Sequence, residues 1–330
     1  MKIIQFMASS KWGGAEKVFV DLSNELSKRH EVLAVVLRET EYIEQFTEQV
    51  EIIELQSHPT THNPLLLLEL YRIIKQKRPD IVHTHAFKAS YLIHGVNRFT
   101  KVKHLGTKHN ARKGRIFNRL RYVSAVSEEA RNSVKQKADA VVRVIHNGIV
   151  PRTAIGVAKN EVFDIAAIGR LDAIKGFDIL IDQVRNLPFP FRLRIVGEGK
   201  EYNNLQRKIA GLNLEDRVIL SGFSTDIPEI MKGADLVVIS SHSEGFPQVM
   251  VEALFYGNVL ISTPVGGVKE VLPALLLEEQ NNLGRKIEDV YGRYSHYASC
   301  FKELQERRAE DFHLLRITEQ YENYYAEILG

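Results

Sequence analysis

The chain runs one alternation twice: short β-rich segments separated by helical patterns, broken once near the middle. Lys2–Ala8, Glu31–Leu37, Val50–Leu55, Ile81–Thr84, Val102–Thr107, Tyr122–Val126 and Val141–Ile145 read as strands. Ala15–Arg29 and Pro64–Lys77 carry a helical apolar rhythm between them. Strands joined through helices require right-handed crossovers and a mostly parallel sheet. Ile149 to Glu161 holds Pro151 and Gly156 and has no clear period, which reads as a linker. The pattern restarts with strands at Val162–Ile168, Phe191–Val196, Val218–Leu220, Leu236–Ser240 and Val259–Ser262. Helices are predicted at Phe177–Arg185, Tyr202–Ala210, Ile227–Lys232 and Val249–Phe255. This is an α/β chain of two domains, 1–150 and 162–310, joined by a linker at 151–161. Tyr297 to Leu329 reads as helical, and its Tyr321, Tyr324 and Tyr325 need a surface to pack on.

Composition narrows the class. Of 330 residues, 44% are hydrophobic and 26% charged, the balance of a globular protein with large cores. A single cysteine, Cys300, excludes an internal disulfide and a Cys-based zinc site, and points to a reducing, cytoplasmic compartment. No apolar run approaches the roughly 20 residues that span a bilayer. Charge is uneven. Residues 1–150 carry 24 Lys+Arg against 15 Asp+Glu, and from Ile81 to Ser127 ten basic residues occur with no acid. An anionic partner is expected on the first half.

Ligands of open α/β sheets lie beyond the C-terminal ends of the strands, and three loops there are unusual. Gly13 and Gly14 separate a strand from a helix, where the backbone can approach a ligand and the helix start attracts an anion; a plain tight turn reads equally well. Gly169-Arg170-Leu171-Asp172-Ala173-Ile174-Lys175-Gly176 follows a strand directly. Its guanidinium and ammonium suit a diphosphate, although an arbitrary Arg and Lys would simply be solvated. The loop is not a P-loop, since Gly-x-x-x-x-Gly-Lys-Ser/Thr is absent. In the third loop, Glu244-Gly245-Phe246-Pro247 leads into a helix bearing Glu252 among apolar residues. A carboxylate there needs a partner, and a ligand hydroxyl supplies one. An exposed helical Glu and a loop Glu are the bland alternative.

These features resemble the retaining glycosyltransferases of the GT-B fold, family 4, over nearly the whole chain in order. Gly13-Gly14-Ala15-Glu16 is similar to that family's N-terminal glycine loop, and Asp80-Ile81-Val82-His83-Thr84-His85 to its Asp-x-x-His-x-His strand. Thr107-Lys108-His109-Asn110 resembles its Thr-x-His loop, Gly169-Arg170-Leu171 with Lys175-Gly176 its diphosphate loop, and Glu244 to Glu252 its Glu-x7-Glu signature. Thr263 to Glu270 resembles the closing loop, but the Gly-Leu-Leu-Val-Pro-like stretch that usually follows is replaced by Leu272-Pro273-Ala274-Leu275-Leu276-Leu277.

The resemblance implies two Rossmann-like α/β/α domains facing a central cleft, with a closing helix at 311–330 packing back toward the N-terminal domain. It implies a nucleotide-diphosphate sugar, a UDP-sugar for preference, bound mainly by the second domain and transferred with retention to a glycan or lipid-linked acceptor in bacterial surface polysaccharide or lipopolysaccharide synthesis. Arg170 and Lys175 would hold the diphosphate, Glu252 the ribose and Glu244 the donor sugar. Gly13, Gly14, Gly245, Phe246 and Pro247 would line the donor site, and His109 would face the sugar. No cofactor is implied. No Asp-x-Asp occurs, so no bridging metal is expected. His83 and His85 share a strand face but lack a third ligand.

A GT-B-type epimerase or phosphorylase would share the diphosphate site. A dinucleotide oxidoreductase would need Gly-x-Gly-x-x-Gly after the first strand, which is missing. A nucleic-acid-binding module could use the basic stretch, but no nucleic-acid motif accompanies it, and no nucleic acid is expected as a partner. The segment from Arg98 to Arg121 interleaves nine Lys+Arg with Phe99, Val102, Leu105, Ile116, Phe117 and Leu120. It is expected to lie loosely on an anionic membrane through Arg112, Lys113, Arg115 and Arg119, with about half of the apolar residues at the interface, since Val102–Thr107 reads as a strand and must be core; the bland alternative is a solvated basic face that steers an anionic soluble acceptor.

Overall fold

The computed structural model describes residues 1–112, 114–135, 139–155 and 161–330. They form two compact units, 1–150 with 313–330, and 151–312. Lys113 lies outside the described residues.

In the first unit the strands are β1 (Lys2–Met7), β2 (Glu31–Leu37), β3 (Val50–Leu55), β4 (Ile81–His85), β5 (Lys103–Lys108), β6 (Tyr122–Ala125) and β7 (Val141–Val144). Among the described residues they make one parallel sheet of order β3-β2-β1-β4-β5-β6-β7. Successive residues of β1 serve opposite cores: Ile3 packs with one cluster and Ile4 with another, both essentially buried. Burial on both faces is why the strands read as near-continuous apolar runs. The helices are α1 (Gly14–Ser27), α2 (Pro64–Lys77), α3 (Ala86–Thr100) and the short α4 (Glu128–Asn132).

The second unit has β8 (Phe163–Ile168), β9 (Phe191–Val196), β10 (Val218–Gly222), β11 (Leu236–Ile239) and β12 (Leu260–Ser262), ordered β10-β9-β8-β11-β12, again parallel. Its helices are α5 (Phe177–Val184), α6 (Tyr202–Gly211), α7 (Ile227–Gly233), α8 (Gln248–Tyr256), α9 (Leu283–Gly292) and α10 (Tyr294–Arg308).

The tail is not one helix. α10 ends in a short 3₁₀ turn, and α11 (Leu314–Leu329) belongs to the first unit. The amide of Leu314 donates to the carbonyl of Ile149 at 2.7 Å, tying the start of α11 to that unit. Ile317, Tyr321, Tyr324, Tyr325 and Ile328 are then buried with Phe19, Leu22 and Leu26 of α1. At 1.5–3 kcal/mol for each large side chain buried, this face outweighs any intrinsic propensity of the helix.

α3 is an element the sequence pattern does not announce. Its inner face is Ala89, Leu92, Ile93 and Val96, but Phe87, Tyr91 and Phe99 point outward. Apolar residues on both sides blur the 3.6-residue period. The outer helices also relocate the expected membrane-facing residues. Leu105, Ile116, Phe117 and Leu120 are core, the last three in a small cluster with Val123 and Val134, and Val102 packs against another core. Of these six apolar residues, about half of them expected at an interface, only Phe99 is exposed, at 72%. The turn that carries Ile116 and Phe117 is short and must bury them to be held at all.

Candidate active site

Strand order reverses once in each sheet, between β1 and β4 and between β8 and β11. Crevices outside the strand ends open at such switch points. In the second unit this brings together the loop after β8, with Arg170 and Lys175, and the loop after β11, with Glu244 and Pro247.

Local geometry explains the first loop. Gly176 has φ +62°, and a Cβ there would sit 2.3 Å from the carbonyl oxygen of Ser240. Only glycine lets the turn into α5 pass this close to β11. Gly169, at φ +150°, leaves room for the Lys175 stem, whose Cε would lie 3.1 Å from a Cβ. The Ser240 hydroxyl donates to the Lys175 carbonyl at 2.8 Å, and the His242 amide donates to Ile174 at 2.8 Å. The two loops are thus laced together. Lys175 Nζ meets Glu244 Oε1 at 2.7 Å, and the Ser241 hydroxyl donates to the same oxygen at 2.6 Å. Both charged groups are largely buried, so the pair is screened less than a surface pair. An ammonium has three protons, so Lys175 keeps donors for a ligand beyond Glu244.

Arg170 does not converge on Lys175 in the way the spacing suggests. It is exposed and held by Asp172 two residues on. Phe246 is buried with its ring 5.4 Å from Phe312. The carbonyl of Gly245 accepts from the amide of Gly267 at 2.8 Å, which closes the site loop against the segment after β12. Pro247 caps α8, and Glu252 lies half-buried two turns along from Glu244. Sequence reading passes over Gln248. Both polar atoms of its carboxamide are buried and have no partner among the described residues. Such atoms are costly to leave unpaired, which marks the start of α8 as a place for a polar ligand. The signal was there in the sequence: an amide among Val249, Met250 and Val251.

In the first unit, Gly13 caps α1 in extended backbone and Gly14 opens it. His109 follows β5 and is half-buried. Its Nε2 lies 3.2 Å from Nδ1 of His85, and the two rings stack at 5.4 Å. His83 and His85 do share a face, 4.4 Å apart, but all four ring nitrogens are engaged by protein groups. Burial pushes the imidazole of His109 down to about 4 and holds those of His83 and His85 well below the usual range. Arg112, Arg115 and Arg119 are exposed.

Comparison with known proteins agrees with this architecture. The family described as glycosyl transferases group 1 matches residues 154–276, and that described as glycosyltransferase family 4 matches residues 12–152. The lipopolysaccharide core biosynthesis glycosyltransferase LpsE of Rhizobium meliloti is 26% identical over 271 residues, 80% of this chain and 79% of its own. The UDP-Gal:alpha-D-GlcNAc-diphosphoundecaprenol alpha-1,3-galactosyltransferase of Escherichia coli is 26% identical over 255 residues, 64% of this chain and 66% of its own. Alr3699/HepE of Anabaena, solved with UDP, superposes with a TM-score of 0.85 at 22% identity over 99% of this chain and all of its own, a likeness of fold. The two family matches take up the two units in turn and together span most of the sequence, so the chain belongs to the group 1 glycosyltransferases of GT-B fold.

Proposed function

We propose that the enzyme transfers a hexose from a UDP-sugar, with retention, to a glycan or lipid-linked acceptor in the synthesis of bacterial surface polysaccharide or lipopolysaccharide. The observation that carries this is the Lys175–Glu244 pair at the switch point of the second unit. A fixed ammonium stabilises charge that develops on a leaving diphosphate. Arg170, released from Asp172, adds a second cation, and the start of α8 offers free amides to the same phosphates. Glu244 accepts from the donor sugar and Glu252 from the ribose. His109 takes a hydroxyl of the sugar or the acceptor. In the family's front-face account the acceptor oxygen bonds to the anomeric carbon, the bond to the diphosphate breaks, and a phosphate oxygen takes the acceptor proton. The names of the relatives, one acting in lipopolysaccharide core synthesis and one on a diphosphoundecaprenol-linked sugar with UDP-Gal, support the donor and acceptor classes. The reaction needs no cofactor and no metal on this reading.

Donor binding is testable directly. UDP at 100 times its Kd is expected to stabilise the protein by about 2.7 kcal/mol, read as a rise in Tm. Glu252→Ala should lose most of that rise, and transfer should persist in EDTA. A full shift in Glu252→Ala would remove the ribose role. Loss of activity in EDTA, restored by magnesium or manganese, would overturn the metal-free mechanism.

We also propose that the enzyme rests on an anionic membrane, through a surface other than the basic stretch alone. No helix among the described residues is long and apolar enough to cross a membrane. The outer faces of α2 and α3 expose Leu65, Leu68, Phe87, Tyr91 and Phe99. Arg72, Lys75, Arg98 and Lys101 are exposed on the same two helices and their ends. The one acid on them, Glu69, is occupied by the amides of Gln56 and Ser57. Apolar side chains seated in the interface and about 1 kcal/mol for each nearby cation give reversible binding. Sedimentation with vesicles should require anionic lipid, fade with salt and fall several-fold in Phe87→Ser/Phe99→Ser. No sedimentation with anionic vesicles at low salt would overturn the proposal.

A further inference from the structure

A continuous run of hydrogen bonds joins the C-terminal helix to His109. The Tyr325 hydroxyl of α11 lies 3.1 Å from Gln5 Nε2 and 2.7 Å from His83 Nδ1. Gln5 Oε1 lies 2.8 Å from His85 Nε2, and His85 Nδ1 lies 3.2 Å from His109 Nε2. On the other side, His83 Nε2 meets Thr107 Oγ1 at 2.5 Å, and Thr107 meets Ser124 Oγ at 2.5 Å. Gln5, His83, His85, Tyr325, Thr107 and Ser124 are all fully or almost fully buried, so no water is at hand to substitute for a partner.

Such a run is directional, because each neutral imidazole offers one proton and one lone pair, and a carboxamide donates only through nitrogen. Gln5 donates through Nε2 to the Tyr325 oxygen. The single phenolic proton therefore goes to His83 Nδ1, and His83 carries its own proton on Nε2, toward Thr107. Gln5 Oε1 can only accept, so His85 is protonated on Nε2 and bare on Nδ1. That lone pair takes the Nε2 proton of His109. Nδ1 of His109 is left as an acceptor, and it has no hydrogen-bond partner among the described residues. Burial holds these rings neutral near pH 7, which is what fixes each to one proton.

We propose that Tyr325 and Gln5 are positioning residues that act through His85 to hold His109 as its Nε2–H tautomer, presenting Nδ1 as an acceptor to a substrate hydroxyl. The catalytic consequence rests on the placing of His109 at the sugar given above; the tautomer does not. The two residues are 320 positions apart, and the closing helix reaches His109 through Gln5 and His85. Rotating the Gln5 amide by half a turn would reverse every proton and make His109 Nδ1 a donor, which gives the proposal a sharp alternative.

The test is ¹⁵N-histidine NMR of the full chain at pH 7.5, with signals assigned through His85→Gln and His109→Gln. His109 and His85 should each show a protonated Nε2 and a bare Nδ1. In Tyr325→Phe and in Gln5→Met, the His109 nitrogens should average between tautomers, and kcat should fall about 10-fold with little change in donor KM. Gln5→Glu separates tautomer control from mere packing. Its carboxylate still accepts from His85 Nε2–H and should preserve the tautomer, whereas a purely structural role makes a buried charge the most damaging change of all. A proton on Nδ1 of His109 in the parent protein, or the same tautomer in Gln5→Met as in the parent, would overturn the proposal. The parent spectrum decides even if Tyr325→Phe does not fold. Unaltered turnover in His109→Ala would overturn the catalytic placing of His109 instead, and the spectrum keeps the two failures apart.

Discussion

Replacing Lys175 with alanine is expected to lower kcat by about 100-fold or more, the loss that follows removal of one preorganised charge at a transition state. The size of the effect rests on how firmly the ammonium is held. Its backbone is fixed by the Ser240 hydroxyl, and its stem passes over Gly169. Its head is set by Glu244 at 2.7 Å. A charge so placed costs no reorganisation when the diphosphate leaves. The variant also strands Glu244, which keeps only Ser241 as a hydrogen-bond partner among the described residues, so binding of the donor sugar should weaken as well. Lys175→Arg should recover part of the rate, since charge is kept but the compact ammonium geometry is not. Arg170→Ala is expected to cost roughly 100-fold too, although Arg170 must first leave Asp172. Steady-state kinetics with a UDP-sugar donor check both. Near-normal rates in both variants would remove the diphosphate role from this loop.

The two α/β units were legible from the alternation of strands and helices, because parallel sheets bury both faces of each strand and their apolar runs survive any local noise. The glycine loops were legible for a local reason. Gly176 and Gly169 hold backbone angles that other residues avoid, and loops of that kind stand at strand ends where a ligand goes. Other features could not be read because they are decided by distant partners. α3 hides its period behind outward Phe87, Tyr91 and Phe99. Ile116, Phe117 and Leu120 look like an interfacial stripe until Val123 and Val134 are seen to cover them. Arg170 and Lys175 are five apart, yet one faces Asp172 and the other Glu244. The pairing of Gln5 with Tyr325 has no local signature of any kind. His83 and His85 could be placed on one face by strand alternation, but only the fold shows that tyrosine, threonine, glutamine and a third histidine use up their nitrogens.

Those buried imidazoles lead to the second large effect, a loss of stability as pH falls from about 7 to 5. His83 and His85 are fully buried and His104 nearly so, and burial is the leading cause that holds all three below the usual histidine range, His104 at about 3. The sign follows from linkage. In the unfolded chain each takes a proton near pH 6.5, while in the fold each stays neutral, so acid favours the unfolded state. At pH 5 the unfolded chain gains about 2 kcal/mol for each such histidine, roughly 6 kcal/mol for the three together. That is a large share of the 5–15 kcal/mol that holds a typical domain. Carboxylates whose pKa is lowered in the fold, such as Glu41 and Asp289, lose their contribution only further down, so the window from pH 7 to 5 belongs to the imidazoles. Denaturant unfolding at pH 7, 6 and 5 should show the loss. His104→Gln, which can still reach the Thr84 hydroxyl that His104 Nε2 meets at 2.9 Å, should remove about a quarter of the slope, because His109, pushed down to about 4, adds a share of its own. A stability that stays level from pH 7 to 5 would mean that these rings are charged in the fold, and the one-proton reasoning that orients His109 would fall with it.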